Sequence, residues 1–520
     1  MHVCSRLLIG LIMMFSSYSC QQTDTKSAIT ALRLNFQDGD VPSCHLFQTA
    51  SHVRGRVLGK LLFEGLTRID NTGKPILAGA KELHLSPDQK TYTFLLRDNH
   101  WSDGSAVTAD HYVSAWRYAL TPGSDCLRSD LFYLIKNGQK AKKGEVSIEQ
   151  VGIQALDPTT LKVELENPSS YFLSLLAQSL FAPLKAPQEE PTTFNGPFKI
   201  KEWIKGKVIQ LAANSYFWNC EQVQLNHITI DCVQDAMTNL YMYEKGQMDW
   251  IGDPFCPLQK ESVLDLIKKK QAYSQPVDRF FWIFLNTHHP LLSSEKIRKA
   301  LSLSIDRAQI VNHICIGGEP ILAPLSEAMI PFSRDQIQEE NLVLAQELFS
   351  EGLKEMGMDK MPPVVLSYTH DTPSRKQLTE YLKERWEDTF GFTIQIQGYD
   401  WNVYRSHLEH HNFEVGGCME SAFYGDPLEF FDRFVELSNS NFPQWESALF
   451  KEKISLIRKE PNEQKRMDLL VEAEKILLDQ TPFIPVYRCT HVFAHHPSLK
   501  DYIIDNAGCV DFAYASFTKE

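Results

Sequence analysis

Short strands and amphipathic helices alternate along almost the entire sequence, and this order restricts the possible folds more than any other feature. Apolar and polar side chains alternate in Ala31 to Phe36 and in Thr91 to Leu96, as they do in half-buried strands. Apolar side chains recur at helical spacing from Val53 to Leu62, and Thr108 is a good N-cap for a helix that runs through Trp116. Strands and helices interleaved in this way predict a mixed α/β fold.

Length and charge narrow the class of protein further. At roughly 150 residues per domain, 520 residues suggest about three lobes or domains. The formal net charge is −13, and the longest basic run, Lys268 to Lys270, is typical of a solvated helix end. An acidic chain without a basic patch lacks the electrostatic footprint of a nucleic-acid-binding protein, so we predict no nucleic-acid partner.

The first nineteen residues have the pattern of an export signal. Arg6 precedes the apolar run Leu7 to Phe15, and small residues lead to Cys20. Nine helical residues span about 14 Å, which is too short for a hydrocarbon core of about 30 Å. We therefore predict a signal peptide over residues 1–19 and a protein exported to the periplasm or cell envelope.

Cys20 suggests how the exported chain is held. A small residue followed by the cysteine that receives lipid ends a bacterial lipoprotein signal, and Ser19-Cys20 resembles that ending. Ser17 departs from the pattern, because such signals usually carry leucine there. We predict lipidation of Cys20 with a polar tether over residues 20–28; the alternative is an ordinary signal peptide that is cleaved nearby.

Nine cysteines remain after Cys4 and Cys20, and an odd number leaves at least one thiol unpaired. No CxxC spacing occurs, so neither a zinc ribbon nor a thioredoxin-type site is indicated. Cys220 and Cys232 could meet across adjacent strands, but two buried thiols are the favoured interpretation.

Signatures of catalysis or metal binding are weak. The GxSxG, HExxH, Walker and GxGxxG motifs do not occur. His407 and His411 would share a helix face, although such groups are mostly solvated surface, so we predict no metal and no cofactor. Trp401 differs from the core aromatics because it stands beside polar residues after a predicted strand, where mixed α/β domains place ligands.

An ordered set of short blocks resembles the oligopeptide-binding proteins of bacterial ABC importers, in the extracellular solute-binding protein family 5 (peptide/nickel class). The set runs in family order from about residue 29 to the end. It comprises Leu62–Leu66, Tyr92–Arg97, Trp101–Gly104, Val107–Asp110, Asn195–Phe198, Met242–Gly246, Ile297–Ser302, Ser304–Arg307 and Pro482–Tyr487. Turn and cap chemistry explains most blocks without a ligand, so they identify the fold and not the site.

The resemblance implies a two-lobed periplasmic-binding-protein fold of class II, peptide-binding type. Two crossing strands join the lobes, and an extra α/β domain is inserted in lobe 1. The expected parts are lobe 1 (29–45, 193–280 and 488–520), the extra domain (46–192) and lobe 2 (281–487). The extended segment Thr481 to Val486 suits a crossing between lobes, which would close over a ligand by hinge motion.

The resemblance also implies a ligand site. In peptide-binding members an extended peptide pairs with main chain from two strands, and here Gly39, Asp40 and Val41 would form one segment and Met419 and Ser421 the other. The peptide amine meets an aspartate in those members. The stretch from Trp401 to Pro427 matches that pattern without gaps.

Phe423 stands where the family has the aspartate, and Glu420 stands where it has tryptophan. Three explanations remain open: Glu420 or Asp426 supplies the charge; the ligand has a blocked or absent amine, or is a modified peptide, sugar or metal chelate; or the site is weak or lost. Arg128 could face a ligand carboxylate, or be an ordinary surface arginine.

We therefore predict an exported, lipid-anchored and monomeric solute-binding component of an ABC importer, without enzymatic activity. It would capture oligopeptides or peptide-like ligands between two lobes and deliver them to a permease in the inner membrane. One competing hypothesis keeps the same fold with a metal chelate, haem-like molecule or sugar as ligand. Two hypotheses from different functional classes are a secreted hydrolase that uses carboxylates and an adhesin.

Overall fold

A computed structural model describes residues 30–50, 52–331, 340–370 and 372–518. The predicted signal peptide, Cys20 and the whole predicted tether lie outside these residues. In the first half of the chain the strands are β1 (Ala31–Asn35), β2 (Thr67–Ile69), β3 (Pro75–Leu77), β4 (Ala80–Leu85), β5 (Thr91–Leu96), β6 (Ile153–Asp157), β7 (Thr160–Glu164), β8 (Phe198–Ile204), β9 (Val208–Ala213), β10 (His227–Asp231) and β11 (Trp250–Gly252). The helices there are α1 (Leu46–Thr49), α2 (Val53–Leu62), α3 (Ala109–Leu120), α4 (Gly138–Lys142), α5 (Phe172–Leu176), α6 (Ala236–Glu244) and α7 (Lys260–Lys268).

The second half continues the alternation of strands and helices. Its strands are β12 (Tyr273–Leu285), β13 (Glu319–Pro320), β14 (Val364–Thr369), β15 (Ile394–Tyr399), β16 (Val415–Ser421), β17 (Phe483–His495), β18 (Leu499–Lys500), β19 (Ile503–Ile504), β20 (Val510–Asp511) and β21 (Ser516–Phe517). Its helices are α8 (Glu295–Leu303), α9 (Arg307–His313), α10 (Leu342–Glu355), α11 (Pro373–Phe390), α12 (Trp401–Glu409), α13 (Leu428–Phe431), α14 (Ala448–Ile457) and α15 (Glu463–Gln480).

Three larger sheets organise the described chain. The first lobe has a four-stranded sheet in the order β1-β10-β9-β8, and the inserted domain has another in the order β4-β5-β7-β6. The third sheet has the order β11-β17-β12-β16-β14-β15, with β13 on β17. We call the part built on β12 to β17 the second lobe. The residue boundaries expected for these parts stay a prediction.

Local sequence explains the elements that were predicted. In β5, Tyr92, Phe94 and Leu96 alternate with more exposed residues and are buried, as the pattern indicated. Helix α3 begins directly after Thr108, whose backbone amide donates to His111 Nδ1 at 2.9 Å. This helix continues one turn beyond the predicted end at Trp116 because Ala119 and Leu120 are also buried.

Strands β12 and β17 run through both lobes as an antiparallel pair. Their register breaks between Pro276 and Phe280, opposite Arg488 to Thr490. At one end Phe493 belongs to the core of the first lobe, whereas at the other end Phe483 belongs to a core of the second lobe. The crossing therefore lies after the segment Thr481 to Val486 that was predicted for it, because that segment is packed inside the second lobe.

The apolar cores explain how the parts fit together. One continuous core joins the first lobe and the inserted domain, and two more cover the opposite faces of the second lobe's sheet. Trp282 enters one of these two cores and its neighbour Ile283 enters the other. Phe423 is the single buried side chain between residues 281 and 487 of the described chain that joins the first core.

Candidate ligand-binding site

The first predicted pairing segment, Gly39 to Val41, is held rigidly on the first lobe. The Asp40 carboxylate accepts hydrogen bonds from Trp203 Nε1 and from the Gly206 amide, both at 2.9 Å. Val41 is buried, and Gly39 has a left-handed backbone with φ of 89°. The segment is therefore positioned by its own side chains and turn geometry.

The second predicted segment lies on β16 and has one open edge. Met419 pairs with Phe281 of β12, and Ser421 pairs with Arg279. On its other side β16 pairs with β14 only at Val415 and Gly416, as far as the described residues show. The main chain from Met419 to Ser421 therefore forms a strand edge beside the crossing strands.

A hydrogen bond at Gly417 shows in which direction the unpaired amides and carbonyls of this strand edge point. The Tyr404 hydroxyl donates to the Gly417 carbonyl at 2.9 Å, so this carbonyl points away from β12. Alternate residues of a strand direct their main-chain groups to the same side. Met419, which is half-buried, and Ser421, which is exposed, therefore direct their amides and carbonyls outward in the same way.

Phe423 follows β16 and lies between the lobes. Its ring is buried, with 4% exposure. The guanidinium carbons of Arg56 and Arg128 lie 5.3 and 5.1 Å from the ring centroid. Arg128 also forms an ion pair with Asp130 at 3.0 Å. The structure thus brings together Phe423 and Arg128, two predicted site residues that are far apart in sequence.

Both carboxylates that were considered as substitutes for the missing aspartate are paired within the second lobe. Glu420 is buried and bonds Arg433 through Oε2 at 2.5 Å, whereas its Oε1 has no hydrogen-bond partner among the described residues. Asp426 bonds Arg466 at 2.7 Å and also accepts from the Leu428 amide at 3.0 Å. These contacts do not favour the hypothesis that either group supplies a shifted charge for a ligand amine.

Sequence reasoning missed Glu429, which lies in α13. Its carboxylate accepts the backbone amides of Phe423 at 2.5 Å and Tyr424 at 3.1 Å, so it holds the Phe423 loop in place. Burial raises the pKa of Glu429 to about 7, although these amides and the charges of Arg128 and Arg56 favour the ionised form. No spacing signal links this residue to the loop.

Arg56 was also missed, because its helix α2 reads as an ordinary amphipathic segment. Its side chain is almost fully buried, with 5% exposure of the residue. Among the described residues, no acceptor lies within hydrogen-bond distance of its Nε and Nη1 atoms. Lys60, one turn further along α2, is different because it bonds Asp505 at 2.6 Å.

A cavity of about 640 Å³ lies next to this loop, between the inserted domain and the second lobe. Its walls include Arg128, Tyr171, Tyr424 and Glu429. The two tyrosine rings stack across the boundary with centroids 5.0 Å apart. The walls of the cavity include neither Phe423 nor the two predicted pairing segments.

Comparison with known proteins gives a consistent result. The family described as "Bacterial extracellular solute-binding proteins, family 5 Middle" matches residues 74–442. The oligopeptide-binding protein OppA of Bacillus subtilis is 31% identical over 508 residues, covering 94% of this chain and 93% of OppA. The chain belongs to the family 5 solute-binding proteins.

Two further matches fit this assignment. The dipeptide-binding protein DppE of Bacillus subtilis is 28% identical, covering 87% of this chain and 86% of DppE. The solved structure described as Listeria monocytogenes OppA bound to peptide has a TM-score of 0.77 and 26% identity, covering 95% of this chain and all of that one. The two-lobed α/β fold that the sequence blocks implied is thereby confirmed, and so is the assignment as a solute-binding protein.

Trp401, a predicted ligand-binding residue of this family 5 protein, and His407 both lie on α12. Trp401 begins α12, is 44% exposed and has its ring 6.5 Å from that of Tyr404. The His407 ring packs 4.6 Å from that of Tyr399. Within the described ranges, no cluster of three potential metal ligands is found, and none of the helices has the length and apolar character to cross a membrane.

The cysteines of this family 5 protein are free thiols in the described part of the chain. Cys220 and Cys232 were expected to be buried, and this expectation is wrong because both are only half-buried. Cys220 begins a short turn, and Cys232 follows the end of β10, where neither side chain is covered by a core.

Proposed function

We propose that this protein captures oligopeptides or peptide-like ligands between its two lobes and delivers them to the permease of an ABC importer. The named relatives bind oligopeptides and dipeptides, as their names state, and they match nearly the whole chain. The domain boundaries expected from the sequence (lobe 1 at 29–45, 193–280 and 488–520; the extra domain at 46–192; lobe 2 at 281–487) are part of this proposal.

The open edge of β16 is the observation that carries the proposal. Met419 and Ser421 present main-chain donors and acceptors beside the crossing strands, and the described chain supplies no further strand to pair with them. An extended peptide can add to such an edge, because main-chain hydrogen bonds provide affinity while tolerating many side chains. Gly39 to Val41 would complete the pairing from the first lobe.

A proline substitution at the edge tests this mode of binding. Ser421→Pro removes the outward amide, whereas Ser421→Ala keeps the main chain and removes only the hydroxyl. We expect the alanine variant to bind a pool of tri- to pentapeptides like the natural protein in calorimetry. The proline variant should lose at least about tenfold in affinity, which corresponds to roughly 1.4 kcal/mol. Equal binding by a folded proline variant would contradict strand addition.

Native mass spectrometry of protein purified without denaturation provides the direct test of ligand class. A ligand enclosed between two lobes is expected to survive purification, and its mass identifies its chemistry. Masses that fit peptides or modified peptides would support the proposal. A mass that fits a sugar or a metal chelate would contradict peptide binding and support the alternative ligand class.

Export and lipidation at Cys20 belong to the same proposal. A lipid on the mature N-terminus would keep a monomeric binding protein close to its permease while leaving the lobes free to move. Mass spectrometry of the mature N-terminus, with and without globomycin, measures the modification. An unmodified N-terminus produced by cleavage near Cys20 would contradict lipid anchoring.

A further inference from the structure

The charged groups nearest to the Phe423 ring are guanidinium groups. The free amino end of a peptide is an ammonium, which is stabilised by a negative charge and not by a positive one. Arg56 and Arg128 both come from the inserted domain and lie against the Phe423 ring at 5.3 and 5.1 Å. An aromatic ring attracts cations to its face, but here the protein's own guanidinium groups already occupy that role. An additional ammonium would be repelled by Arg56, whereas the charge of Arg128 is balanced by its ion pair with Asp130.

The carboxylates near the loop already contact arginines or main-chain amides. Glu420 is bonded to Arg433 through Oε2, although its Oε1 has no hydrogen-bond partner among the described residues, and Asp426 is bonded to Arg466. Glu429 directs its two oxygens to the backbone amides of Phe423 and Tyr424. Burial of an ammonium without a carboxylate to balance its charge is strongly unfavourable, so the loop is unsuited to a free amino terminus.

Arg56 has buried hydrogen-bond donors that a ligand oxygen could satisfy. It is only 5% exposed, and its Nε and Nη1 atoms have no acceptor among the described residues. An unsatisfied buried donor destabilises the folded protein, and a charged donor does so more strongly than a neutral one. Lys60 on the same helix has its partner Asp505, so the local sequence does not prevent α2 from pairing its cations.

We infer that the ligand end that lies at Phe423 carries an acceptor oxygen and no positive charge. This inference rests on the proposed function and narrows it to peptides whose amino end is acylated. The acyl carbonyl, or a carboxylate on the acyl group, accepts hydrogen bonds from the Arg56 guanidinium. The acyl carbon packs on the Phe423 ring, and the peptide main chain continues along Met419 to Ser421. The cavity of about 640 Å³ that has Arg128 and Tyr424 in its walls lies next to this loop.

Three matched peptide pools test this inference on the mature full-length protein. Each pool contains the same tri- to pentapeptide sequences, with a free amine, an N-acetyl group or an N-succinyl group, and binding is measured by native mass spectrometry and calorimetry. We expect both acylated pools to bind at least tenfold more tightly than the free-amine pool. Equal or tighter binding of free-amine peptides would overturn the inference while leaving the proposed function intact.

Variants connect this preference to Arg56. Arg56→Gln should reduce the preference for acylated peptides at least tenfold. Arg117→Gln is the matched control, because Arg117 also has a buried Nε without a partner in the described chain but bonds the Ile153 carbonyl at 3.1 Å in the inserted domain. A preference that is unchanged in a folded Arg56→Gln protein would overturn the assigned role of Arg56.

The double variant Phe423→Asp with Arg56→Gln extends the test in the opposite direction. It places a carboxylate in the loop and removes one of the two cations beside it, while the other, Arg128, stays paired with Asp130, so free-amine peptides should become the tighter ligands. Failure of every pool to bind the folded natural protein would overturn both this inference and the proposed function. Thermal unfolding of each variant distinguishes loss of binding from loss of folding.

Discussion

Two arginines, Arg56 (buried) and Arg488 (with a side chain 15% exposed), lie between the lobes, and their surroundings differ. At the crossing strands, Arg488 donates to the Val277 carbonyl and to Asp278 at 3.1 and 2.9 Å. At the Phe423 loop, Arg56 stacks on an apolar ring, and two of its nitrogens find no acceptor in the described chain. The first arginine stabilises the connection between lobes, whereas the second remains available for a ligand oxygen. Burial of a charge therefore does not by itself distinguish structure from function.

The largest expected loss of stability comes from breaking the ion pair between Arg488 and Asp278. Asp278→Ala removes the buried carboxylate that pairs with Arg488 at 2.9 Å and leaves only the more exposed Glu319 at 3.6 Å, so it should lower the free energy of unfolding by at least about 3 kcal/mol. Urea denaturation followed by circular dichroism measures the loss. The exposed pair of Lys136 and Glu164 is the control, because Glu164→Ala should cost less than about 1 kcal/mol. Similar losses in both variants would show that the pair of Arg488 and Asp278 stabilises the protein no more than an exposed ion pair does.

The next effect concerns Phe423 as an apolar contact between lobes. Phe423→Ala should weaken the packing by about 3 kcal/mol, because a buried ring is replaced by a methyl group. Since the ring belongs to the core of the opposite lobe, the loss should appear as an increase in the radius of gyration in small-angle X-ray scattering. Phe423→Leu should keep most of the contact. An unchanged scattering curve for the alanine variant would show that this contact does not hold the lobes together.

The pH dependence of stability tests how the Phe423 loop is held. Glu429 has a pKa raised from 4.5 to about 7 in the folded protein, so the folded state binds its proton more tightly than the unfolded state. Its contribution to stability is therefore complete below about pH 4.5 and is lost as the pH rises through about 7.

Substitution of Glu429 measures this contribution. The stability of the natural protein relative to Glu429→Gln should fall by on the order of 2 kcal/mol between about pH 5 and about pH 8. Urea denaturation at both pH values provides the comparison, with the same substitution at exposed Glu436 as control. A constant difference across this range would mean that Glu429 does not titrate there.

The smallest effect on stability is expected at Arg56. Arg56→Met removes a buried cation that lacks a partner, and the lost contact with the ring is worth only about 0.5–1 kcal/mol. We therefore expect a change of less than about 1 kcal/mol in the free energy of unfolding. Lys60→Met on the same helix should cost about 3 kcal/mol, because it leaves Asp505 buried and unpaired. Equal losses would show that Arg56 stabilises the fold in the same way as Lys60.

Much of the fold could be predicted from local patterns. The strand at Thr91 to Leu96 and the helix at Val53 to Leu62 have the predicted bounds, because alternation and helical spacing report directly on which face is buried. The crossing between lobes was placed too early in the chain. Strand β17 stays extended from one lobe into the other. Its sequence therefore does not show at which residue it leaves the second lobe and enters the first.

The candidate site was only partly predictable. Comparison with the family pattern singled out Phe423 and the main chain of Met419 and Ser421, and the structure places these residues on one loop and one open edge. Glu429 and Arg56 were missed. Their importance depends on contacts with the Phe423 loop, and in Arg56 this contact joins residues more than three hundred positions apart.

The order of strands and helices, the family blocks and the replacement of an acidic anchor by Phe423 can all be read in the chain itself, because they depend on residue type and spacing. Whether a charge has a partner depends on distances across the fold. Only the tertiary structure could therefore show that Glu420 and Asp426 are neutralised by arginines of their own lobe, while Arg56 keeps donors without acceptors beside Phe423.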